Sequence, residues 1–192
     1  MLESQVIVRN DAYFLPRFGY RFNMPCGYES LSYFGRGPTE SYTDKRHASR
    51  MGVFQSTVTE HFEHYIRPQE NMAHTDTHWM CVSDRYGEGL IALSCGDECG
   101  FSFNCSHFTA EQLTSTAHDY ELIPLDETVI HIDHRQSGIG SNSCGPRLDD
   151  SLRLSDKEFS FAFRLLFANV DAVDPFMLKT QLQNKTRNGE IQ

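Results

Sequence analysis

The feature that most constrains this chain is a repeated alternation of apolar and polar residues over short segments. Between residues 14 and 24, apolar side chains alternate with polar ones or glycine, which is the period of a strand with one buried face. Pro16 suggests that this strand starts near a sheet edge. Further segments of strand length and composition are residues 30–34, 62–67, 75–83, 89–94, 101–108, 127–135 and 158–168. Many short strands separated by turn residues predict an all-β fold, an antiparallel β-sandwich.

One short helix is expected among these strands. Residues 109–112 read Thr-Ala-Glu-Gln, the form of a capping box, and the composition that follows favours a helix over residues 109–117. Apolar periodicity fades after residue 170. We therefore expect residues 1–170 to form the sandwich domain, and residues 171–192 to be a polar tail that frays towards its end.

Charge and composition exclude two classes of partner. The 26 acidic and 17 basic side chains give a net charge of -9 without a basic patch, so the chain is not expected to bind nucleic acid. No apolar run has the length of a membrane span or the form of an export signal, which predicts a cytoplasmic protein that does not bind membranes. The six cysteines are expected to be reduced, because a chain of this size does not depend on disulfides.

The stretch HTDTHW at residues 74–79 contains residue types that bind metals. On a continuous strand, His74, Asp76 and His78 would share one face and Trp79 would lie on the other. We interpret the polar face as an interface with another domain or chain in preference to a metal site. Trp79, the single tryptophan of the chain, is predicted to lie in the core.

Five blocks of sequence, taken in order, resemble the C-terminal domain of the large bacterial beta-galactosidases of glycoside hydrolase family 2, the lac type. Each block is weak evidence alone, but their order across most of the chain, from about Leu15 to Phe167, is specific. The resemblance implies a β-sandwich that is part of a galactose-mutarotase-like supersandwich. The blocks are LPRFGYRF from Leu15, YFGRGPTESYTDKRHAS from Tyr33, YIRPQEN from Tyr65, FNCSHFTAEQL from Phe103 and HIDHRQSGIGSNSCGP from His131.

The resemblance begins about halfway through that domain, so its first half and the barrel that precedes it are expected to be missing here. Retaining hydrolysis of a galactoside needs two carboxyl groups about 5 to 5.5 Å apart. In the family both catalytic glutamates belong to the barrel, so we expect no catalytic residue in this chain and no activity of the isolated chain. Open sheet edges and an open apolar face predict association with itself or with a complementary, barrel-bearing chain.

The resemblance places two loops near the substrate. The first contains Asn142, Ser143 and Cys144. Some family members have, at the position of Cys144, a tryptophan that stacks on the sugar or aglycone, so this stacking platform is expected to be absent. An equally weighted alternative is that Cys144 simply packs within a tight loop.

The second loop contains Pro-Gln-Glu-Asn at residues 68–71 and resembles a mobile active-site loop of the family. Glu70 matches a glutamate that is associated there with an accessory magnesium. The parent enzyme is therefore expected to use magnesium, with sodium as a second ion, whereas the isolated chain is expected to hold no cofactor tightly. The alternative for Glu70 is a solvated loop carboxylate.

Three functions compete on these grounds. The leading one is a non-catalytic part of an oligomeric beta-galactosidase acting on β-D-galactosides such as lactose, in which this chain completes the active-site wall. The second is a free-standing carbohydrate-binding module, which the single tryptophan argues against. The third is a metal-dependent enzyme that uses residues 74–78 and the alternating His131 and Asp133. Such a strand face more often pairs with neighbouring strands.

Overall fold

Ten β-strands form two antiparallel sheets in the computed structural model, which describes residues 1–9, 13–96, 100–140 and 147–189. In chain order they are β1 (Leu2–Ile7), β2 (Arg17–Met24), β3 (Ser30–Gly37), β4 (Arg50–Thr57), β5 (His74–Thr77), β6 (Trp79–Ser83), β7 (Glu88–Ser94), β8 (Phe101–Ser106), β9 (Thr128–Gln136) and β10 (Glu158–Asn169). The six-stranded sheet has the order β1-β10-β7-β6-β3-β4, and the four-stranded sheet the order β2-β9-β8-β5. This architecture confirms the predicted all-β antiparallel sandwich.

The main core lies between the two sheets. Strand residues alternate between the two faces of a sheet, so each sheet contributes every second side chain to this layer. The sandwich therefore closes on itself, although association with another chain stays a prediction. The buried side chains of this cluster are Met24, Leu31, Tyr33, Val58, Met80, Val82, Ala92, Phe101, Phe103, Cys105, Ile130, Ile132, Phe161 and Phe163.

Strand β2 forms one edge of the four-stranded sheet and pairs with β9 alone among the described strands. Its first residue, Arg17, lies opposite Gln136, the last residue of β9. Pro16 precedes it, as predicted for a strand that starts at an edge. The start of β2 and the end of β9 therefore meet at one end of the sandwich.

The stretch at residues 74–79 is a corner between the sheets. Strand β5 belongs to the four-stranded sheet and β6 to the six-stranded sheet. Asp76 turns the chain with a φ of 54°, a left-handed conformation that non-glycine residues rarely adopt. Its carboxylate accepts hydrogen bonds from Arg36 Nε at 2.6 Å and Arg46 Nη2 at 2.7 Å.

The predicted polar face at this corner is therefore wrong, because the chain does not continue as one strand. His74 is fully buried between the sheets, whereas the Asp76 side chain is 44% exposed. His78 lies beyond the corner, with its ring stacked on Phe34. Trp79 is 4% exposed, and its predicted place in the core is confirmed.

Three parts of the strand prediction need correction. Residues 62–67 form a loop, because their backbone groups bond locally and to side chains: Tyr65 N donates to Glu63 O at 2.9 Å, and Glu63 N to Asn71 Oδ1 at 3.1 Å. Strands β1 and β4 were not predicted. Both are edge strands of the six-stranded sheet, with half of their residues facing solvent and a weak apolar pattern.

The predicted short helix is confirmed as α1 (Ala110–Ser115), with the capping box between Thr109 and Gln112. A second helix, α2 (Pro175–Arg187), occupies most of the predicted tail, so the expectation of a frayed end is wrong for these residues. Asp174 caps it by accepting from Phe176 N at 2.8 Å, and Pro175 stands at its first turn. No helix of the described residues is long and apolar enough to span a bilayer. Among the cysteines within the described residues, Cys26, Cys81, Cys95 and Cys105 are free thiols.

Candidate functional site

Residues 62–73, which we call the PQEN loop, are closed at their base by two buried histidines. Nε2 of His61 lies 2.6 Å from Nε2 of His74. His61 is 2% exposed and His74 is fully buried. Because these residues flank the loop directly, their contact joins the point where the loop leaves the sandwich to the point where it returns.

The two imidazoles are neutral at neutral pH. Burial lowers the pKa of His61 to about 4, and burial with the adjacent His61 lowers the pKa of His74 to about 3. Nδ1 of His74 lies 2.6 Å from the carbonyl oxygen of Arg36, a shorter contact than the 3.1 Å between Nδ1 of His61 and the carbonyl of Cys105. The hydrogen of His74 is therefore assigned to Nδ1, and Nε2–H of His61 donates to His74 Nε2. In this assignment Nδ1 of His61 has no hydrogen, so its contact with the Cys105 carbonyl is not a hydrogen bond.

The PQEN loop is also held by residues 40–45, which we call the clamp turn. Glu40 of this turn is 7% exposed. Its Oε1 accepts from the Lys45 ammonium group and from the Tyr65 hydroxyl, and its Oε2 accepts from Met72 N at 3.0 Å. Burial raises the pKa of Glu40, but these donors outweigh it and hold the pKa below its ordinary value. The ionised Glu40 thus fixes both sides of the loop.

Glu70 projects from the PQEN loop towards the meeting point of β2 and β9. Its Oε2 accepts from Arg17 Nη1 at 3.1 Å, and Arg17 Nη2 donates to Asp133 Oδ2 at 2.5 Å. Burial raises the pKa of Glu70, with Arg17 opposing this effect and Asp133 and Glu40 adding to it. Asp133 also accepts from Gln136 Nε2 at 2.8 Å. On this face of β9, Asp133 thus pairs with Arg17 of the neighbouring strand β2.

A small cavity lies behind Glu70. Its volume is about 10 Å³, and its lining includes Glu70, Asn71, Asn104, Ser106 and His131. Glu70 Oε1 and His131 Nδ1 are both buried without a hydrogen-bond partner in the structure. The cavity has room for about one water molecule, which is the size of group that would satisfy these two atoms.

This arrangement does not fit a magnesium ion. Magnesium requires near-octahedral oxygen coordination and usually keeps several waters, more than the cavity admits. Glu70 Oε2 is already paired with Arg17, so the side chain offers one oxygen. No cluster of three or more His, Cys, Asp or Glu side chains that could hold a metal occurs within the described ranges, including the residues around His74 and His131.

Residues 138–140, which lead into the first predicted loop, are held by the same clamp turn. Asp44 Oδ1 accepts from Ile139 N at 3.1 Å, and Asp44 Oδ2 accepts from Gly140 N at 2.8 Å. A Cβ atom at Gly138 would lie 2.5 Å from Asp44 Cγ, so glycine is needed for this close approach. The predicted substrate-proximal residues of this loop, Asn142, Ser143 and Cys144, lie outside the described residues.

The clamp turn therefore connects the roots of both loops, at the end of the sandwich where β9 finishes. Its buried Tyr42, 0% exposed, anchors the turn between Glu40 and Asp44. Sequence reasoning missed the roles of Glu40, Asp44 and Arg17, although two of them belong to the block GPTESYTDK. The available signal was a pair of carboxylates within a Gly- and Pro-containing turn, but their partners are distant in sequence.

Comparisons with known proteins agree on one family. A family model described as beta galactosidase small chain matches residues 2–165. A beta-galactosidase of Staphylococcus xylosus is 42% identical over 154 residues, covering 80% of this chain and 15% of that protein. One from Actinobacillus pleuropneumoniae is 39% identical over 86% of this chain and 16% of its own length, and one from Kluyveromyces lactis is 37% identical over 79% and 14%. The chain thus spans about a sixth of these curated relatives or less.

Proposed function

We propose that this chain, which belongs to the beta-galactosidase small-chain family, is the part of a beta-galactosidase that supplies two loops of the active-site wall. The observation that carries this proposal is the clamp turn. Glu40 holds the PQEN loop and Asp44 holds residues 138–140, so one turn positions both loops. A shared support of this kind suits loops that must face one substrate together.

In this proposal the chemistry is divided between two parts of the enzyme. A barrel-bearing part supplies the two carboxyl groups that cleave a β-D-galactoside such as lactose. The residues of this chain position the wall, exclude water from the site and contribute to an oligomeric, cytoplasmic assembly. Glu40, Asp44 and Arg17 act as positioning residues and do not touch the reacting atoms.

Complementation tests this proposal. The Staphylococcus xylosus relative, produced without the segment that aligns with this chain over 154 residues, is mixed with the present chain, and hydrolysis of lactose is measured. We expect activity from the mixture and none from either component alone. Turnover by the isolated chain would overturn the division of roles. Binding of lactose to the isolated chain at millimolar concentration, without complementation, would instead support a free-standing carbohydrate-binding module.

Magnesium, with sodium as a second ion, remains part of the proposal for the whole enzyme. Because Glu70 Oε2 is paired with Arg17 and Oε1 faces a cavity of about 10 Å³, the ligands of these ions would come from residues outside this chain. Calorimetric titration of the isolated chain with magnesium is expected to show no binding at millimolar concentration. In the complemented enzyme, Glu70→Gln is expected to leave the magnesium concentration needed for half-maximal lactose hydrolysis unchanged. A several-fold increase in that concentration would place Glu70 among the ligands of the ion.

Cys144 provides a test of the other loop. If this residue lies beside the substrate, Cys144→Trp in the complemented enzyme restores a stacking platform and changes the inhibition constant for glucose by roughly tenfold, equivalent to about 1.4 kcal/mol. Cys26→Trp, at an exposed position distant in sequence, is the control and is expected to leave it unchanged. Equal behaviour of the two variants would remove Cys144 from the proposed wall.

A further inference from the structure

The six-stranded sheet is apolar on both of its faces. Met80 and Val82 of β6 point into the main core, while Trp79 and Cys81 alternate with them on the outer face. The outer cluster of Trp79, Cys81, Ile91 and Leu93 is at most 4% exposed. A sheet with two apolar faces needs a covering layer on each. The four-stranded sheet covers the inner face, and α2 with the segment before it covers the outer one.

Helix α2 contacts this face through few apolar side chains. Leu178 and Leu182 pack against the outer cluster, and the Phe176 ring lies 5.5 Å from that of Trp79. No described residue of α2 is itself buried, and Phe176 remains 42% exposed. A helix of 13 residues is marginally stable in isolation, so its packing on the sheet decides whether it forms.

Polar contacts fix the direction in which the helix lies. Lys179 Nζ donates to Ser94 Oγ at 2.8 Å and to the Gly96 carbonyl at 3.0 Å. Near the end of the helix, Arg164 Nη2 of β10 donates to Thr186 Oγ1 at 2.6 Å. These contacts lie at the edges of the apolar patch and place α2 in one register without burying it deeply.

The cover is also incomplete. A cavity of about 530 Å³ lies between the start of α2 and strands β3, β4 and β6. Its lining combines Trp79 and Cys81 with mostly polar residues, among them Ser30, Ser32 and Ser83. The outer face of the sheet therefore continues beyond the helix as an open groove. A larger covering layer that is apolar over the outer cluster and polar over this groove would cover both.

The family model matches strands that form the outer cluster but does not extend to helix α2, which covers that cluster. The matched segment ends at Leu165, so it includes the outer cluster but not α2, which begins at Pro175. The alignment with the Staphylococcus xylosus protein, over 154 residues, covers only 15% of that protein, which leaves a large remainder that can supply a covering layer.

We propose that α2 is a built-in cover that competes with the remainder of a beta-galactosidase for the outer face of the six-stranded sheet. This inference rests on the proposed function and adds a regulation to it: the complementary chain docks through an apolar layer on Trp79, Cys81, Ile91 and Leu93 after α2 swings away. Because docking requires the uncovered state, its apparent affinity is reduced by the fraction of molecules in which α2 is closed.

The first experiment tests whether α2 is a separable cover. In the full chain, Leu178→Asp with Leu182→Asp places two charges against the outer cluster. Thr180→Asp with Gln181→Asp adds the same charges on the exposed side of the helix and is the matched control. We expect a several-fold rise in binding of the dye ANS and loss of amide protection in α2 for the first variant only, with β8 and β9 still protected. Unchanged dye binding would overturn the proposal, as would loss of protection throughout the sandwich.

Lys179→Ala supplies a milder variant in case the double substitution prevents folding. It removes the contacts to Ser94, Gly96 and His78 Nδ1 while leaving the apolar packing in place. A smaller rise in dye binding, with loss of protection confined to α2, is expected. Wild-type protection of α2 in this variant would show that the polar contacts do not hold the cover.

The second experiment measures competition directly. The probe is the Staphylococcus xylosus relative without its matched segment, and its dissociation constant is determined for the full chain, the Leu178 and Leu182 variant and the control. We expect at least tenfold tighter binding of the variant with α2 displaced and unchanged binding of the control. Equal affinities would overturn the competition while leaving complementation intact. Absence of binding by every form would count against the proposed function, whereas the dye experiment would still decide whether α2 is a cover.

Discussion

The clamp turn has two arms, the carboxylates of Glu40 and Asp44, and they hold their loops in different ways. Glu40 is buried and accepts hydrogen bonds from two side chains and one backbone N–H, whereas Asp44 is half-buried and accepts from two backbone N–H groups. The PQEN loop has a second closure beneath it, the contact between His61 and His74. The Glu40 arm is thus part of the protein interior. The Asp44 arm, which we call the surface bracket, lies closer to solvent.

One turn can therefore hold one loop strongly and another loop weakly. Removing a buried acceptor leaves several donors unsatisfied and costs more than removing an exposed one. Loss of the contacts between Asp44 and residues 138–140 should therefore lower the free energy of unfolding only slightly. The PQEN loop, although it resembles a mobile loop, should move only when buried contacts break.

The largest expected effect is a loss of stability in acid at the base of the PQEN loop. Unfolded histidine protonates near pH 6.5, whereas burial holds the pKa of His61 at about 4. Between these values the unfolded chain binds more protons, so stability is fully present above pH 6.5 and falls as the pH decreases towards 4. At 1.36 kcal/mol per pKa unit, His61 alone accounts for about 3 kcal/mol of this loss.

Urea unfolding at several pH values measures this effect. His61→Gln is expected to flatten the dependence of the unfolding free energy on pH between 6.5 and 4. His47→Gln, at an exposed position, serves as the control and should keep the wild-type slope. If His61→Gln retained the full slope, the buried histidine pair would not be the source of the acid sensitivity.

A smaller effect is expected from the buried arm of the clamp turn. Glu40→Ala leaves Tyr65 and Met72 N without their acceptor and is expected to lower the unfolding free energy by about 2 kcal/mol. Hydrogen exchange should accelerate across residues 62–73. Glu60→Ala, at an exposed position, is the matched control and should change stability by less than about 0.5 kcal/mol. Similar effects of both variants would show that the arm does not hold the loop.

The parts of the fold that were predictable depend on local pattern. Alternation identified β2 and β9, and the capping box identified α1, because both signals lie within a few adjacent residues. Helix α2 was missed because its stability comes from packing on Trp79 and its neighbours, which sequence periodicity does not report. Residues 62–67 have strand composition, but tertiary contacts of the loop overrode that preference.

The candidate site was less predictable for a related reason. Glu70 was identified by resemblance, but its partner Arg17 lies 53 positions away, and Asp133 lies 116 positions from Arg17. Glu40 reaches Met72 across 32 positions. Such pairs form only once the strands are placed. The corner at Asp76 shows the same limit, since one left-handed residue moved His74 from the expected polar face into the core.

The smallest stability effect is expected from the surface bracket, and it provides the sharpest test of the comparison. Asp44→Asn keeps the shape of the side chain but replaces one of its two acceptor oxygens with a donor, so one contact to Ile139 N or Gly140 N is lost. The unfolding free energy should fall by roughly 0.5–1 kcal/mol. Exchange should accelerate at residues 139 and 140 but not in the PQEN loop.

In the complemented enzyme, Asp44→Asn is expected to raise KM for lactose while leaving stability nearly unchanged, because it loosens the root of one wall loop alone. Asp126→Asn, an exposed carboxylate outside the clamp turn, provides the control and should change neither quantity. The comparison between the two arms would break if Asp44→Asn destabilised the chain as much as Glu40→Ala does. It would also break if exchange accelerated in both loops, since the turn would then behave as one rigid unit and not as two separable supports.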